Sequence, residues 1–126
     1  MSFKTDKGRV IGLGSAKHGT GHFWVQRITA VALVPLFLLA ILPLDWSLGA
    51  SHADVMATYS NPFNAVILIL FIAVAFRHLQ LGLQVVIEDY VHDKAVRTAA
   101  LIANIAFCTL FGLTGVFAVA KIAFAG

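Results

Sequence analysis

The stretch PFNAVILILFIAVAFRHLQLGLQVVIE, residues 62–88, decides the fold. It opens with a proline, and residues 63–76 carry no charge. Its second half contains polar side chains at Arg77, His78, Gln80 and Gln84 before the stretch ends at Glu88. Crossing a bilayer takes a helix of about 20 mostly apolar residues. The stretch therefore predicts a membrane-spanning helix that carries polar side chains at membrane depth.

Two more apolar segments flank this stretch, at about Phe23–Leu44 and Ala99–Phe124. Membrane-spanning β-strands are disfavoured, because they require alternating segments of about 10 residues. We predict an all-α integral membrane protein with three transmembrane helices in an up-down-up bundle. The expected spans are residues 23–44, 62–88 and 99–124, within a single membrane-anchor domain over residues 1–126.

Prolines mark the expected helix ends. Proline suits the first turn of a helix and disrupts its interior. We therefore expect Pro43 to end the first helix and Asn61-Pro62 to begin the second, with a polar connection between them. Pro35 lies inside the first segment, where a proline can kink a helix.

The composition supports lipid as the solvent. Of 126 residues, 60% are hydrophobic and 12% charged, against about 45–50% apolar and about 25% charged in an ordinary soluble domain. This excludes a disordered chain, a disulfide scaffold and a large enzyme with its own substrate domain. The single Cys108 also permits no internal disulfide.

The basic residues predict an orientation. The net charge is +3, and five of the nine Lys and Arg residues fall within the first 27 positions, whereas residues 45–61 contain none. By the positive-inside rule, the N-terminus and second loop are cytoplasmic and the first loop and C-terminus lie outside. The charge is not spread over a soluble face, so nucleic acid is not an expected partner. A cleaved signal peptide ending near Ser47–Ala50 is the weaker interpretation, because the leading polar segment and the apolar run are both long.

His78 is the most informative residue of the second span. It lies roughly 24 Å from Pro62 and roughly 16 Å from Asp89 at 1.5 Å per helical residue. A neutral imidazole at that depth suits haem ligation or an interhelical hydrogen bond. Gly82, one turn later, leaves room for a flat macrocycle or a close helix. Asp89 falls on the face of His78, and Tyr90 lies at the membrane boundary.

These residues together resemble a known family. The pattern His78-Leu-Gln-Leu-Gly82, followed by Glu88-Asp89-Tyr90-Val91-His92, is similar to the second of three transmembrane helices in the hydrophobic membrane anchor subunits of succinate dehydrogenase, respiratory complex II. The resemblance covers roughly residues 23–97, including the position of Arg27.

The resemblance implies a role for each matching residue. His78 takes the place of an axial ligand to haem b, with the second ligand from a sister cytochrome b anchor subunit. Arg27 takes the place of an arginine near the haem propionates. Tyr90 takes the place of a tyrosine that hydrogen-bonds ubiquinone, and Asp89 looks like the acidic residue beside the quinone pocket. A multi-pass location in a bacterial inner membrane is also implied.

The resemblance further implies partners, because this chain lacks a Cys cluster for iron–sulfur centres and a Gly-rich dinucleotide fingerprint. It is not expected to be catalytic alone, and the redox chemistry would lie in flavoprotein and iron–sulfur subunits. Two other functions remain open. One is a small transporter or proton-conducting subunit that uses Arg77, His78 and Asp89. The other is a haem-free structural anchor.

Other polar residues have simpler expected roles. Arg77 points about 100° away from His78 on the helix, and we expect it to extend toward headgroups or meet a partner or a propionate. His18 and His22 have metal-like spacing, but Gly19 and Gly21 between them disfavour a helix, so we expect no metal there. We interpret His92, His52 and Asp54 as solvated loop residues. The third span has small residues that indicate helix contacts, at Ala99, Ala103, Gly112 and Gly115.

Overall fold

Five α-helices account for nearly all of residues 5–11 and 19–125, which are the residues described by this computed structural model. The helices are α1 (Asp6–Ile11), α2 (Gly19–Ser47), α3 (His52–Ser60), α4 (Pro62–Tyr90) and α5 (Lys94–Ala125). No β-strand occurs within those described ranges. Three helices are long and apolar enough to cross a membrane, over Thr20–Ser47, Pro62–Tyr90 and Lys94–Phe124. The predicted all-α class with three helices able to span a membrane is confirmed.

Side-chain caps fix the starts of α4 and α5. The Asn61 side-chain oxygen accepts a hydrogen bond from the Phe63 backbone N–H at 2.9 Å, and Pro62 occupies the first helical turn. One Asp93 carboxylate oxygen accepts from the backbone N–H groups of Ala95 and Val96, each at 2.9 Å. These bonds satisfy backbone donors that the first turn of a helix leaves unpaired. The expected start at Asn61-Pro62 is confirmed.

The first span differs from the expectation at both ends. α2 includes Gly19 and Gly21, and it continues through Pro35 and Pro43 to Ser47, so the prediction that Pro43 ends this helix was wrong. Proline removes one helical hydrogen bond, but a backbone in an apolar medium still satisfies its remaining groups best by staying helical. The Ser47 hydroxyl also donates to the Pro43 carbonyl at 2.7 Å, which helps to satisfy the last turn.

The connections are more helical than the sequence suggested. Residues 52–60 form α3, with a reciprocal pair of bonds at its start between the backbone and side chains of Ser51 and Asp54. α5 begins at Lys94 rather than near Ala99, so only residues 91–93 separate it from α4. His52 and Asp54 therefore lie on a short helix and not in an irregular loop.

α4 is the middle helix of the bundle. It packs against α2 on one side and α5 on the other, whereas α2 and α5 make no contact with each other in the described parts of the chain. On the α2 side, the rings of Phe37 and Phe71 lie 6.2 Å apart. On the α5 side, a Cβ on Gly112 would lie 3.2 Å from the Phe76 Cβ. The predicted helix contact at Gly112 is therefore confirmed.

Candidate functional site

His78 projects from α4 toward α2 and is half-buried. Its Nδ1 atom lies 3.0 Å from the Thr29 hydroxyl oxygen. Because α2 and α4 run in opposite directions, the start of α2 lies beside the end of α4. We call this end of the bundle the N-side. The contact places an imidazole between two candidate membrane-spanning helices.

Two grooves between α2 and α4 meet at His78. The first, the apolar groove, has a volume of about 490 Å³. Its lining is hydrophobic apart from the imidazole and includes Leu33, Phe37, Phe71, Ala75 and Leu79. The second, the polar groove, extends from His78 toward the N-side with a volume of about 720 Å³. Its polar lining consists of His22, Gln26, Arg27, Gln84 and Glu88. His78 thus separates an apolar compartment from a polar one.

Arg27 and His78 both line the polar groove. Arg27 lies near the start of α2, at the N-side of the bundle. Its guanidinium carbon is 4.4 Å from the centre of the Phe23 ring, which is a cation–π arrangement. Across the groove, the Gln84 amide donates to the Glu88 carboxylate at 2.8 Å. The polar groove therefore offers one fixed positive charge near the helix ends.

Gln26 and Gly82 face each other where α2 and α4 approach closely. A Cβ on Gly82 would lie 3.5 Å from the Gln26 side-chain nitrogen, which is an ordinary van der Waals contact, so this neighbour alone does not require a glycine. The Gln26 side-chain oxygen is buried without a hydrogen-bond partner among the described residues. A buried acceptor of this kind needs a donor, so the groove suits a ligand or a partner chain that supplies one.

Asp89 and Tyr90 end α4 on the N-side, but they lie outside both grooves. Both side chains are exposed, and Tyr90 is 78% exposed. The Tyr90 backbone carbonyl lies 3.1 Å from the His92 ring. Arg27 and the Asp89-Tyr90 pair thus share one end of the bundle, as expected from antiparallel helices, but this chain alone does not enclose the pair in a pocket.

Arg77 belongs to a different surface. It lines a cavity between α4 and α5 with Phe76 and Gly112, and its guanidinium donates to the Gln80 side chain. Behind it, the Asn104 amide donates to the Gln80 backbone carbonyl at 2.9 Å. Arg77, His78 and Asp89 therefore line no common groove, and this arrangement does not support a continuous charged path through the chain.

The structure shows no metal cage in the described part of the chain, where no group of three or more His, Cys, Asp or Glu residues comes together. His18 lies outside the described residues. His22 lies on α2, so the expectation that its glycine neighbours disfavour a helix was wrong for residues 19–22. A lone imidazole such as His78 suits a metal centre whose other ligands come from a macrocycle and a second chain.

Sequence reasoning missed most of what surrounds His78. Thr29 has one available signal, because it is the only polar side chain in residues 28–44. His22, Gln26 and Glu88 give no such signal, since polar residues near helix ends are common. Their place in the polar groove follows from the register of α2 against α4, which sequence spacing does not reveal.

The fold and this site define a class: a small membrane protein of three spanning helices that holds an imidazole at membrane depth. The family model for the succinate dehydrogenase/fumarate reductase transmembrane subunit matches residues 1–117. The chain belongs to this family.

Individual relatives support that assignment. The succinate dehydrogenase hydrophobic membrane anchor subunit of Paracoccus denitrificans is 33% identical, over 96% of this chain and 93% of the relative. Its counterpart in Rickettsia bellii (strain RML369-C) is 37% identical over 71% and 72%. The succinate dehydrogenase membrane anchor subunit of Reclinomonas americana is 32% identical over 68% and 73%. No solved structure matches the chain.

Proposed function

We propose that this chain anchors a succinate dehydrogenase to a bacterial inner membrane and contributes to its haem b and ubiquinone sites. The anchoring role is supported by the relatives, which are named as membrane anchor subunits. The three apolar helices of this chain are suited to holding a complex in a bilayer. Flavoprotein and iron–sulfur subunits would supply the oxidation of succinate, because the sequence contains one cysteine and cannot ligate an iron–sulfur cluster alone.

His78 is the proposed haem ligand, and its place at the junction of the two grooves is the observation that carries this proposal. The contact between its Nδ1 atom and Thr29 leaves Nε2 as the nitrogen for iron. Haem b, when bound, supplies a one-electron carrier. A sister cytochrome b anchor subunit would provide a second ligand and cover the exposed side of the site.

The two grooves suit the two parts of a haem. Hydrophobic side chains such as Phe37 and Phe71 favour the apolar body of a macrocycle. Arg27 in the polar groove suits a propionate, because a guanidinium pairs well with a carboxylate. His22 is a second proposed propionate contact in the same groove, and it is one that the sequence did not suggest.

Tyr90 and Asp89 are the proposed contribution to the ubiquinone site. A phenol hydroxyl can donate to a quinone carbonyl, and Asp89 beside it can deliver protons. Both side chains are exposed at the end of the bundle where Arg27 also lies. Their exposure fits a quinone site that the sister and iron–sulfur subunits complete.

Replacing His78 with alanine in the assembled complex tests the haem assignment. We expect the b-type absorption spectrum to be altered or lost, because the proposed haem ligand is removed. His92→Ala is the matched control, since His92 is an exposed histidine outside the spanning helix, and it should leave the spectrum unchanged. An unaltered spectrum in an assembled His78→Ala complex would refute haem ligation by His78.

A further inference from the structure

We propose that Thr29 is a positioning residue for His78: its hydroxyl accepts the Nδ1 proton and so holds the imidazole with Nε2 free to bind iron. This inference rests on the proposed haem ligation by His78. It concerns a residue of the first span that lies opposite the histidine of the second. The distance between Thr29 Oγ1 and His78 Nδ1 is 3.0 Å.

The surroundings of the Thr29 hydroxyl decide which atom donates. Its oxygen lies 2.8 Å from the Val25 carbonyl oxygen and 3.0 Å from the Gln26 carbonyl oxygen. A carbonyl only accepts, and a hydroxyl has a single proton to give. A threonine inside a helix commonly gives that proton to the carbonyl one turn back. The hydroxyl oxygen is then an acceptor toward His78, and the imidazole proton sits on Nδ1.

This arrangement prepares the histidine as a ligand in two ways. A neutral imidazole protonated on Nδ1 carries its lone pair on Nε2, which is the form that binds a metal. The hydrogen bond also fixes the rotation of the ring and increases the basicity of the ligating nitrogen. Backbone carbonyls of α2 thus orient the Thr29 hydroxyl, and this hydroxyl in turn orients the His78 ring.

A purely structural role for the same bond makes a different prediction. Hydrogen bonds between spanning helices contribute to helix association. Loss of such a bond would lower the stability of the complex and leave the electronic properties of its haem unchanged. A measurement on the haem itself therefore separates a positioning role from a packing role.

The test compares Thr29→Val, Thr29→Ser and Thr114→Val in the purified complex. Valine keeps the branched shape and removes the hydroxyl, whereas serine keeps the hydroxyl. Thr114 is the matched control, because its hydroxyl also donates to the carbonyl one turn back, at 2.7 Å to Leu110, and it lies on α5 away from His78. Haem content per flavin, the haem midpoint potential and the electron paramagnetic resonance of the ferric haem are measured.

We expect Thr29→Val to bind haem about 10- to 100-fold more weakly, as is typical when a partner of a metal ligand is lost. Its midpoint potential should rise, because a less basic ligand stabilises ferric iron less. Thr29→Ser should restore both properties, and Thr114→Val should match the wild type. If the complex with Thr29→Val does not assemble, Thr29→Ala replaces it and is compared with Thr29→Ser in the same way.

The outcomes distinguish this inference from the function on which it rests. An assembled Thr29→Val or Thr29→Ala complex could have the midpoint potential, resonance spectrum and haem content of the wild type. That result would overturn the positioning role of Thr29 but not haem ligation by His78. In that case the loss of haem in His78→Ala would still support ligation. A wild-type complex without haem, or a His78→Ala complex with a normal spectrum, would overturn both.

Discussion

Tyr90 is an exposed side chain at the N-side of the bundle. Its ring ends α4 with 78% of its surface exposed, and neither the apolar nor the polar groove contains it. The other tyrosine, Tyr59, lies on α3 at the opposite end of the bundle and is 6% exposed. The two residues therefore allow the loss of one phenol hydroxyl to be compared at the two ends.

We predict that Tyr90→Phe lowers succinate–quinone reductase activity about two- to tenfold. The substitution keeps the ring and removes one hydrogen bond, which contributes about 0.5–1.5 kcal/mol. Succinate oxidation with an artificial acceptor for the soluble subunits should persist, because those subunits are unaltered. Steady-state assays of the membrane-bound complex measure both activities.

Tyr59→Phe is the control, and we expect it to leave quinone reduction unchanged. Equal loss of both activities in Tyr90→Phe would indicate failed assembly. Full retention of both would contradict the quinone contact and leave Tyr90 as an interfacial anchor, a common role for tyrosine at a membrane boundary.

At the scale of elements, the contact between α4 and α5 depends on close approach. Gly112 is buried, and a Cβ there would lie 3.2 Å from Phe76. Gly115, one turn away, would bring a Cβ to 3.2 Å from Ile72. Small residues let spanning helices approach closely, and van der Waals packing then holds them together.

We predict that Gly112→Leu destabilises the chain by about 1–3 kcal/mol, because added bulk in a packed contact forces the helices apart. Thermal unfolding of the purified complex in detergent measures the effect. Ala118→Leu adds bulk to an exposed position of the same helix and should leave the unfolding temperature nearly unchanged. Equal unfolding temperatures for Gly112→Leu and the wild type would show that α4 and α5 do not need this approach.

The sequence predicted elements best where one strong local signal dominates. Asn61-Pro62 combines a capping side chain with a proline suited to a first turn, and α4 begins there. Pro43 misled because its effect depends on the solvent: a helix that water would help to break continues in an apolar medium. Ala99 and Ala103 were grouped with Gly112 as contact residues, yet both are exposed in this chain. Sequence alone does not show which face of α5 meets α4.

The candidate site was also predicted only in part. His78 and Arg27 were identified from depth, charge and resemblance, and the structure places both along the polar groove. Thr29 was missed because it contacts His78 across two helices, and the two residues are 49 positions apart in the sequence. Asp89 and Tyr90 remain predictions, because both side chains are exposed and line neither groove of this chain.

At the scale of the whole molecule, the distribution of charge predicts orientation. The start of α2 and the connection between α4 and α5 lie at the N-side, with Arg27, Lys94 and Arg97 there. Residues 45–61, at the other end, contain no Lys or Arg. Loops rich in Lys and Arg stay in the cytoplasm, so the N-side is expected to face it.

Reporter fusions test that orientation. A reporter that functions only in the cytoplasm should be active at the N-terminus and inactive when fused after Gly126. An exported reporter should show the reverse pattern. Cytoplasmic activity at the C-terminus would mean that the bundle is inserted the other way or that α5 does not cross.

The open arrangement of α2, α4 and α5 has a consequence for how the cell handles this protein. Because α2 and α5 make no direct contact with each other in the described parts of the chain, much of each outer helix face depends on lipid or on another subunit for its contacts. A newly made chain that has not yet met the proposed sister subunit is therefore expected to be recognised by membrane proteases and to be short-lived. Its abundance would then follow the supply of its partners rather than its own rate of translation.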